Sequence, residues 1–268
     1  MMWIVAIPRV NRKRDIQYPR CCHSRNNCQN TKQWFTTPVV IVPGYGADAK
    51  EYTGLKTSLE YFGWKCFIVP IQWHHWIPTI GGRPVTPILE ILSTTVQQVL
   101  NDTQTDKVHL VAHSAAGWIC RIWLGSGVYC GASYDCQKWV SSLVCLGTPH
   151  RSKQKLTKTN LDYVNQQFPD AFHSHIQYVC VAGTGCKNPQ WWKPKEWTAY
   201  ISYQMTLGTH LCEGDGIIPV PCATLKDAWN ILLDGVWHSP RSPGLWYGHP
   251  TVVSQWQHCL QTVNNFKS

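Results

Sequence analysis

The chain has 268 residues, 44% of them hydrophobic, which is enough for one buried core in the size range that α/β proteins fill as a single domain. No window reaches the run of about 18 apolar residues that a membrane-spanning helix needs, and the apolar start is broken by Pro8 and Arg9. The net charge of +9 favours anionic surfaces, but no helix-turn-helix, zinc-finger or other nucleic-acid signature accompanies it, so no nucleic-acid partner is expected.

The thirteen cysteines are an odd number, and Cys66, Cys120, Cys145 and Cys180 fall inside apolar runs, where a free thiol behaves as a small hydrophobe. This points to a reducing compartment, cytoplasmic or plastid-like, and away from secretion. Cys21, Cys22, His23 and Cys28 lie close together but lack the second pair that would complete a zinc site, so no metal is expected. Cys130 and Cys136 flank a glycine-containing loop that a bridge could close, though a reducing compartment argues against one.

Residues 1–36 carry Asp15 as their only acid and show no sustained period, so they read as a basic extension, either a partly ordered tail or a targeting segment. Residues 37–268 read as one domain. Within it, short β-branched runs alternate with helical stretches, the pattern of a mostly parallel sheet with crossover helices on both faces. The runs 39–42, 65–69, 108–112, 140–146, 176–182 and 231–237 are the predicted strands. Helices are predicted over 51–62, 88–100, 115–124 and 250–263, and loop excursions over 72–87, 151–175 and 184–212. The second excursion is polar and basic at its start, a lid or a solvated loop.

The strand at 108–112 leads directly into Ser114. A serine hydroxyl is a weak nucleophile until a base takes its proton, and hydrolases expose it on a tight strand-to-helix turn with small residues two before and two after. Those positions hold Ala112 and Ala116 where the usual motif has glycine, and Gly117 follows one residue later. The alternative is a serine that merely caps the helix. Backbone N–H groups must also meet the developing oxyanion. Ala115 would supply one and Tyr45 the other, since Pro43-Gly44-Tyr45-Gly46 follows an earlier strand and Gly44 lets the backbone turn inward; a plain β-turn is the alternative there.

An acid must then follow a later strand and orient a histidine. Asp215, between two glycines in Glu213-Gly214-Asp215-Gly216, is the choice, with Asp227 and Asp234 as competitors. His238, His249 and His258 all satisfy the order Ser, Asp, His. His238 begins the loop at the C-terminal end of the last strand, where such a sheet places its site, and His249 is the fallback. Trp73 and Trp76 follow the second strand, and Trp191 and Trp192 precede Asp215; with fifteen tryptophans in the chain, these four read as candidates for an acyl pocket or a membrane interface.

Together Pro43-Gly44-Tyr45-Gly46, Ala112-His113-Ser114-Ala115-Ala116-Gly117, Gly147-Thr148-Pro149-His150 and Gly214-Asp215-Gly216 resemble successive blocks of the lipase-like α/β-hydrolases. The likeness is greatest to the PGAP1-like and the plant and cyanobacterial lipase-like members. In these, Asp-Gly-Val-Tyr-His-Ser-Pro resembles the segment 234–240 and Trp-Tyr-Gly-Ser-Pro resembles 246–250. Relatives thus have serine where this chain has His249, which raises His238 as the base. The resemblance implies a serine esterase or lipase, with acyl lipids as the main expected substrates and no metal or organic cofactor; the net charge of +9 and the tryptophan-rich loops add the expectation of peripheral contact with an anionic membrane surface. An acyltransferase or thioesterase with the same three residues, or a binding protein on the same fold, is the alternative.

Overall fold

Parallel neighbours cannot be joined by a tight turn, so strands that alternate with helices stack side by side with each helix crossing a face. A computed structural model describes residues 4–6 and 34–261. Its strands are β1 (Ile4–Ala6), β2 (Val39–Val42), β3 (Cys66–Ile68), β4 (Val108–His113), the hairpin β5 (Val128–Tyr129) and β6 (Ala132–Ser133), β7 (Val140–Leu146), β8 (Gln177–Thr184), the short pair β9 (Cys186–Lys187) and β10 (Glu213–Gly214), and β11 (Trp229–Asp234). Six of them form a parallel sheet in the order β11-β8-β7-β4-β2-β3, and β1 pairs in parallel at the β11 edge.

Successive residues of a strand point to opposite faces, so an apolar run serves two cores at once. Val40, Leu110 and Leu143 pack on one face with Leu92 of α2 (Thr86–Thr103) and Ile119 of α3 (Ala116–Leu124). Ile41, Val111 and Val144 pack on the other with Leu55 of α1 (Thr53–Tyr61) and Trp256 of α7 (Pro250–Trp256). In α2, Ile88, Leu92, Val96 and Val99 are buried, a stripe at helical spacing. The remaining helices are α4 (Lys155–Gln167), α5 (Trp197–Thr206) and α6 (Val220–Ala223).

The structure departs from the sequence reading where helices hide in polar or mixed segments. The excursion 151–175 contains α4, in which Leu161 and Val164 are buried among mostly polar residues, so that the segment as a whole reads as polar. The excursion 184–212 contains α5, and the loop 72–87 holds a 3-10 turn, Trp73–Thr79. β11 stops at Asp234 because Gly235 takes φ +71°, which ends the ladder. Residues 34–36 are tied to the domain: Phe35 stacks on Trp64 at 4.1 Å and donates its N–H to the Gly63 carbonyl at 2.9 Å. Cys21, Cys22, His23 and Cys28 lie outside the described residues. Cys130 and Cys136 are free thiols, and no helix among the described residues is long and apolar enough to cross a membrane.

Candidate active site

β4 ends at the middle of the sheet, and the chain turns at Ser114 into α3 with φ +54°, a left-handed conformation that a side chain adopts at a cost of about 1–3 kcal/mol. The turn is held by Ser114 N–H donating to the Leu146 carbonyl at 2.9 Å and Gly117 N–H donating to the Ser114 carbonyl at 3.2 Å. Ala112 and Ala116 are fully buried, and alanine satisfies the space at both. The position that demands glycine is 117, where a Cβ would stand 2.1 Å from Thr148 Oγ1. Gly44 approaches from the β2 side with more room: a Cβ there would lie 2.9 Å from His113 Nδ1 and 3.1 Å from Ser114 Cβ.

His238 and Asp215 converge on this turn from two loops that bond each other, His238 N–H donating to the Asp215 carbonyl at 2.9 Å. His238 Nε2 is 3.0 Å from Ser114 Oγ, and His238 Nδ1 is 2.8 Å from Asp215 Oδ2. Asp215 is buried, yet both its oxygens are used. Oδ1 accepts from Ile217 N–H at 3.0 Å and Ile218 N–H at 2.7 Å, and Oδ2 accepts from Tyr247 O–H at 2.8 Å as well as from His238. Burial alone would push this carboxyl up, but the charge and hydrogen bond of His238, with the Ile218 and Tyr247 donors, hold it below the ordinary carboxylate range. Gly147, at φ +57°, leaves the room: a Cβ there would meet Asp215 Oδ2 at 2.6 Å.

A second chain of hydrogen bonds locks the surrounding loops. His113 Nε2 is 2.8 Å from the His238 carbonyl, which can only accept, so Nε2 carries the proton and Nδ1 accepts from Tyr52 O–H at 2.8 Å. Tyr52 Oη in turn accepts the Gly44 N–H at 2.8 Å. Burial, with His238 close by, pushes the His113 imidazole down to about 3, so it stays neutral. Sequence reasoning missed Tyr52, His113 and Tyr247 as a supporting set. The only hint was the presence of His113 and Tyr247 inside the quoted segments; Tyr52 lies outside them, and the partners lie 61, 125 and 32 positions away.

With the Gly44 N–H taken, the free amides beside the turn are those of Tyr45 and Ala115. Neither has an acceptor among the described residues. His249 stands apart, at the start of α7, where its ring caps the helix by bonding Thr251. Asp234 is exposed and bonded to Thr184 Oγ1 at 3.0 Å. Asp227 is exposed, with its carboxylate 4.0 Å from the Lys226 ammonium.

Two cavities open on Ser114, and Tyr45 lines both. The larger, about 330 Å³, is walled by Val85, Ala115, Trp118, Ile217 and Ile218 and by Thr157 and Asn160 of α4. The excursion over 151–175 therefore forms a wall of the site. Trp73 is 60% exposed, and Trp191 and Trp192 are equally open. Trp76 is not a surface candidate: it is buried under the Tyr45 ring at 5.1 Å, with its indole N–H donating to the Ala47 carbonyl, because its bulk fills the floor of that loop.

Cys145, His150 and Cys180 bring three buried ligand atoms within 4.8 Å of one another. The group next to the imidazole opposes a cation there. A metal-bound imidazole donates its other N–H to an acceptor, whereas His150 Nδ1 lies 3.5 Å from the Nη1 of the buried Arg121 guanidinium, itself a donor and a positive charge.

The sheet order and the turn at Ser114 define the α/β-hydrolase fold. No family model matches the sequence, and no curated protein does. Among solved structures, phospholipase PlaB from Legionella pneumophila is similar with a TM-score of 0.55 at 14% identity, over 84% of this chain and 60% of that one. The same phospholipase in complex with thio-NAD gives 0.57 at 16% identity, over 84% and 58%. An α/β serine hydrolase homologue from Coxiella burnetii aligns at 13% identity over 86% of each chain, with a TM-score of 0.47. The chain spans about 60% of the phospholipase's length, and likeness at these identities establishes the fold rather than the reaction.

Proposed function

We propose that the protein is a serine hydrolase that cleaves carboxylic esters, with acyl lipids as its substrate class. The observation that carries this reading is the row Ser114 Oγ, His238 Nε2, His238 Nδ1 and Asp215 Oδ2, with spacings of 3.0 and 2.8 Å, set on a left-handed serine. His238 takes the Ser114 proton as Oγ attacks the acyl carbon, and the resulting oxyanion accepts from the Tyr45 and Ala115 N–H groups. His238 then returns the proton to the leaving alcohol. Water attacks the acyl-enzyme, gives its proton to His238, and the acid departs as Ser114 is restored. Asp215 fixes the imidazole tautomer and stabilises its charged form.

The larger cavity is apolar over much of its wall and suits an acyl chain. Exposed Trp73, Trp191 and Trp192, with Lys193 and Lys195 beside the latter two, support contact with an anionic membrane surface. The test is labelling of the purified protein with a fluorophosphonate, together with turnover of esters of increasing acyl length. Ser114→Ala is expected to stay folded by circular dichroism, to lose the label and to lose at least about 10³-fold in kcat. Retention of most of the turnover by that variant would sink the reading. Product formed on an added alcohol in preference to water would make the enzyme a transferase.

A further inference from the structure

The two cavities at Ser114 take different halves of an ester. The tetrahedral adduct expels its alcohol only when the leaving oxygen can receive the proton held on His238 Nε2, so the alcohol half lies on the side that His238 lines. That is the smaller cavity, about 140 Å³, bounded by the Gly44 loop and residues 238–241. The larger cavity is lined by Ser114 and Ala115 without His238, and takes the acyl half.

The permanently charged side chains lining the smaller cavity are Glu51 and Arg241. Glu51 is fixed: its side chain is 18% exposed, and its Oε1 accepts the Asp48 N–H at 3.2 Å. Arg241 reaches it from the loop after His238, Nη2 to Oε1 at 2.7 Å, yet its side chain remains 76% exposed. A guanidinium presents five N–H donors in a planar fork, and this contact occupies one terminal nitrogen. Glu51 thereby tethers a cation at the alcohol side of the site while Nη1 and Nε keep donors without partners among the described residues. Such a fork matches a phosphate or carboxylate, and it binds one without giving up Glu51.

We infer that Arg241 is a specificity-determining residue, a subsite for an anionic group carried on the alcohol half of the ester. This rests on the ester-hydrolase reading above. Arg241 does not touch the reacting atoms in this arrangement, so its contribution belongs in KM more than in kcat.

The full chain is assayed with matched pairs: 1-octanoylglycerol against 1-octanoylglycerol 3-phosphate, and 4-nitrophenyl butanoate against its 3-carboxy derivative. The native protein should favour the anionic member of at least one pair by about tenfold or more in kcat/KM, the fold-change a charge-assisted hydrogen bond supports, and the pair that shows it identifies the anion. Arg241→Gln should bring that ratio to within about twofold of one, mainly through KM. Arg241→Lys, which keeps the charge without the fork, should fall between. Lys107→Gln removes the same charge just before β4, at the end of that strand away from Ser114 and outside both cavities, and should keep the native ratio. A ratio in Arg241→Gln equal to the native one, an equal loss in Lys107→Gln, or a native preference for the neutral esters would each overturn the inference. Labelling of Ser114 by fluorophosphonate without turnover of any anionic ester would overturn it alone; absence of both labelling and turnover would overturn the hydrolase reading beneath it.

Discussion

The two ends of the row from Asp215 to Ser114 are built in opposite ways. At the carboxylate end everything is buried and doubly secured: two backbone amides, a tyrosine and an imidazole fill both oxygens, and Gly147 yields the space. At the serine end the side chain is half-buried, its backbone is strained, and two cavities open beside it. Pre-organisation is concentrated where nothing has to enter, and access is kept where substrate must. An imidazole held rigidly at one end can then present its other nitrogen to a half-buried serine that two cavities reach.

The strongest way to break this contrast is at its buried end. Asp215→Asn, isosteric but uncharged, should lower kcat by about 10⁴-fold by favouring the wrong imidazole tautomer, while far-ultraviolet circular dichroism stays native. A loss below tenfold would make the carboxylate merely structural. Tyr247→Phe removes one of four donors to the same carboxylate and should cost about 1.5–3 kcal/mol, seen as a lower melting temperature together with a kcat loss of about tenfold or more. Next comes the neighbouring imidazole. His113 titrates at its ordinary 6.5 when unfolded but is held down at about 3 when folded, so the unfolded state binds the extra proton between these values. Its contribution to stability is complete above about pH 6.5 and is lost as pH falls toward 3, at up to about 1.4 kcal/mol per pH unit. His109, pushed down to about 4 by burial, adds in the same direction. Urea unfolding at pH 7, 6 and 5 reads this slope, and His113→Gln should flatten part of it; an unchanged slope would remove His113 from the account. The smallest effect is expected at His249→Ala, which should alter kcat/KM by less than twofold and stability by less than about 1 kcal/mol, because only a helix cap is lost.

The central strands were legible because both of their faces are covered, which leaves uninterrupted apolar runs such as Val39–Val42 and residues 143–146. α4 was not, since its few apolar residues stand among Lys, Thr, Asn, Asp and Gln and the segment as a whole reads as polar. Ser114, Asp215 and His238 could be chosen from order and local context, and the folded chain brings those three side chains within hydrogen-bonding distance. What local context could not supply was the surrounding support. Tyr247 reaches Asp215, and Tyr52 reaches His113, only because the sheet brings distant loops together. Nor could it say that glycine is needed at 117 rather than at 112 or 116, because that depends on Thr148 from another strand's end. Trp76 looked like its exposed neighbours in sequence, and its burial in the core, against Tyr45 and bonded to the Ala47 carbonyl, separates it from Trp73.

Ser114 and His238 are 124 positions apart in the chain. A contact of that span closes only after the intervening strands have found their places, so it belongs to the late, topologically costly steps of folding. On the proposed hydrolase reading, reactivity of Ser114 toward an electrophile is then a clock for refolding: helical signal should return first, and serine reactivity only once β11 has docked beside β8.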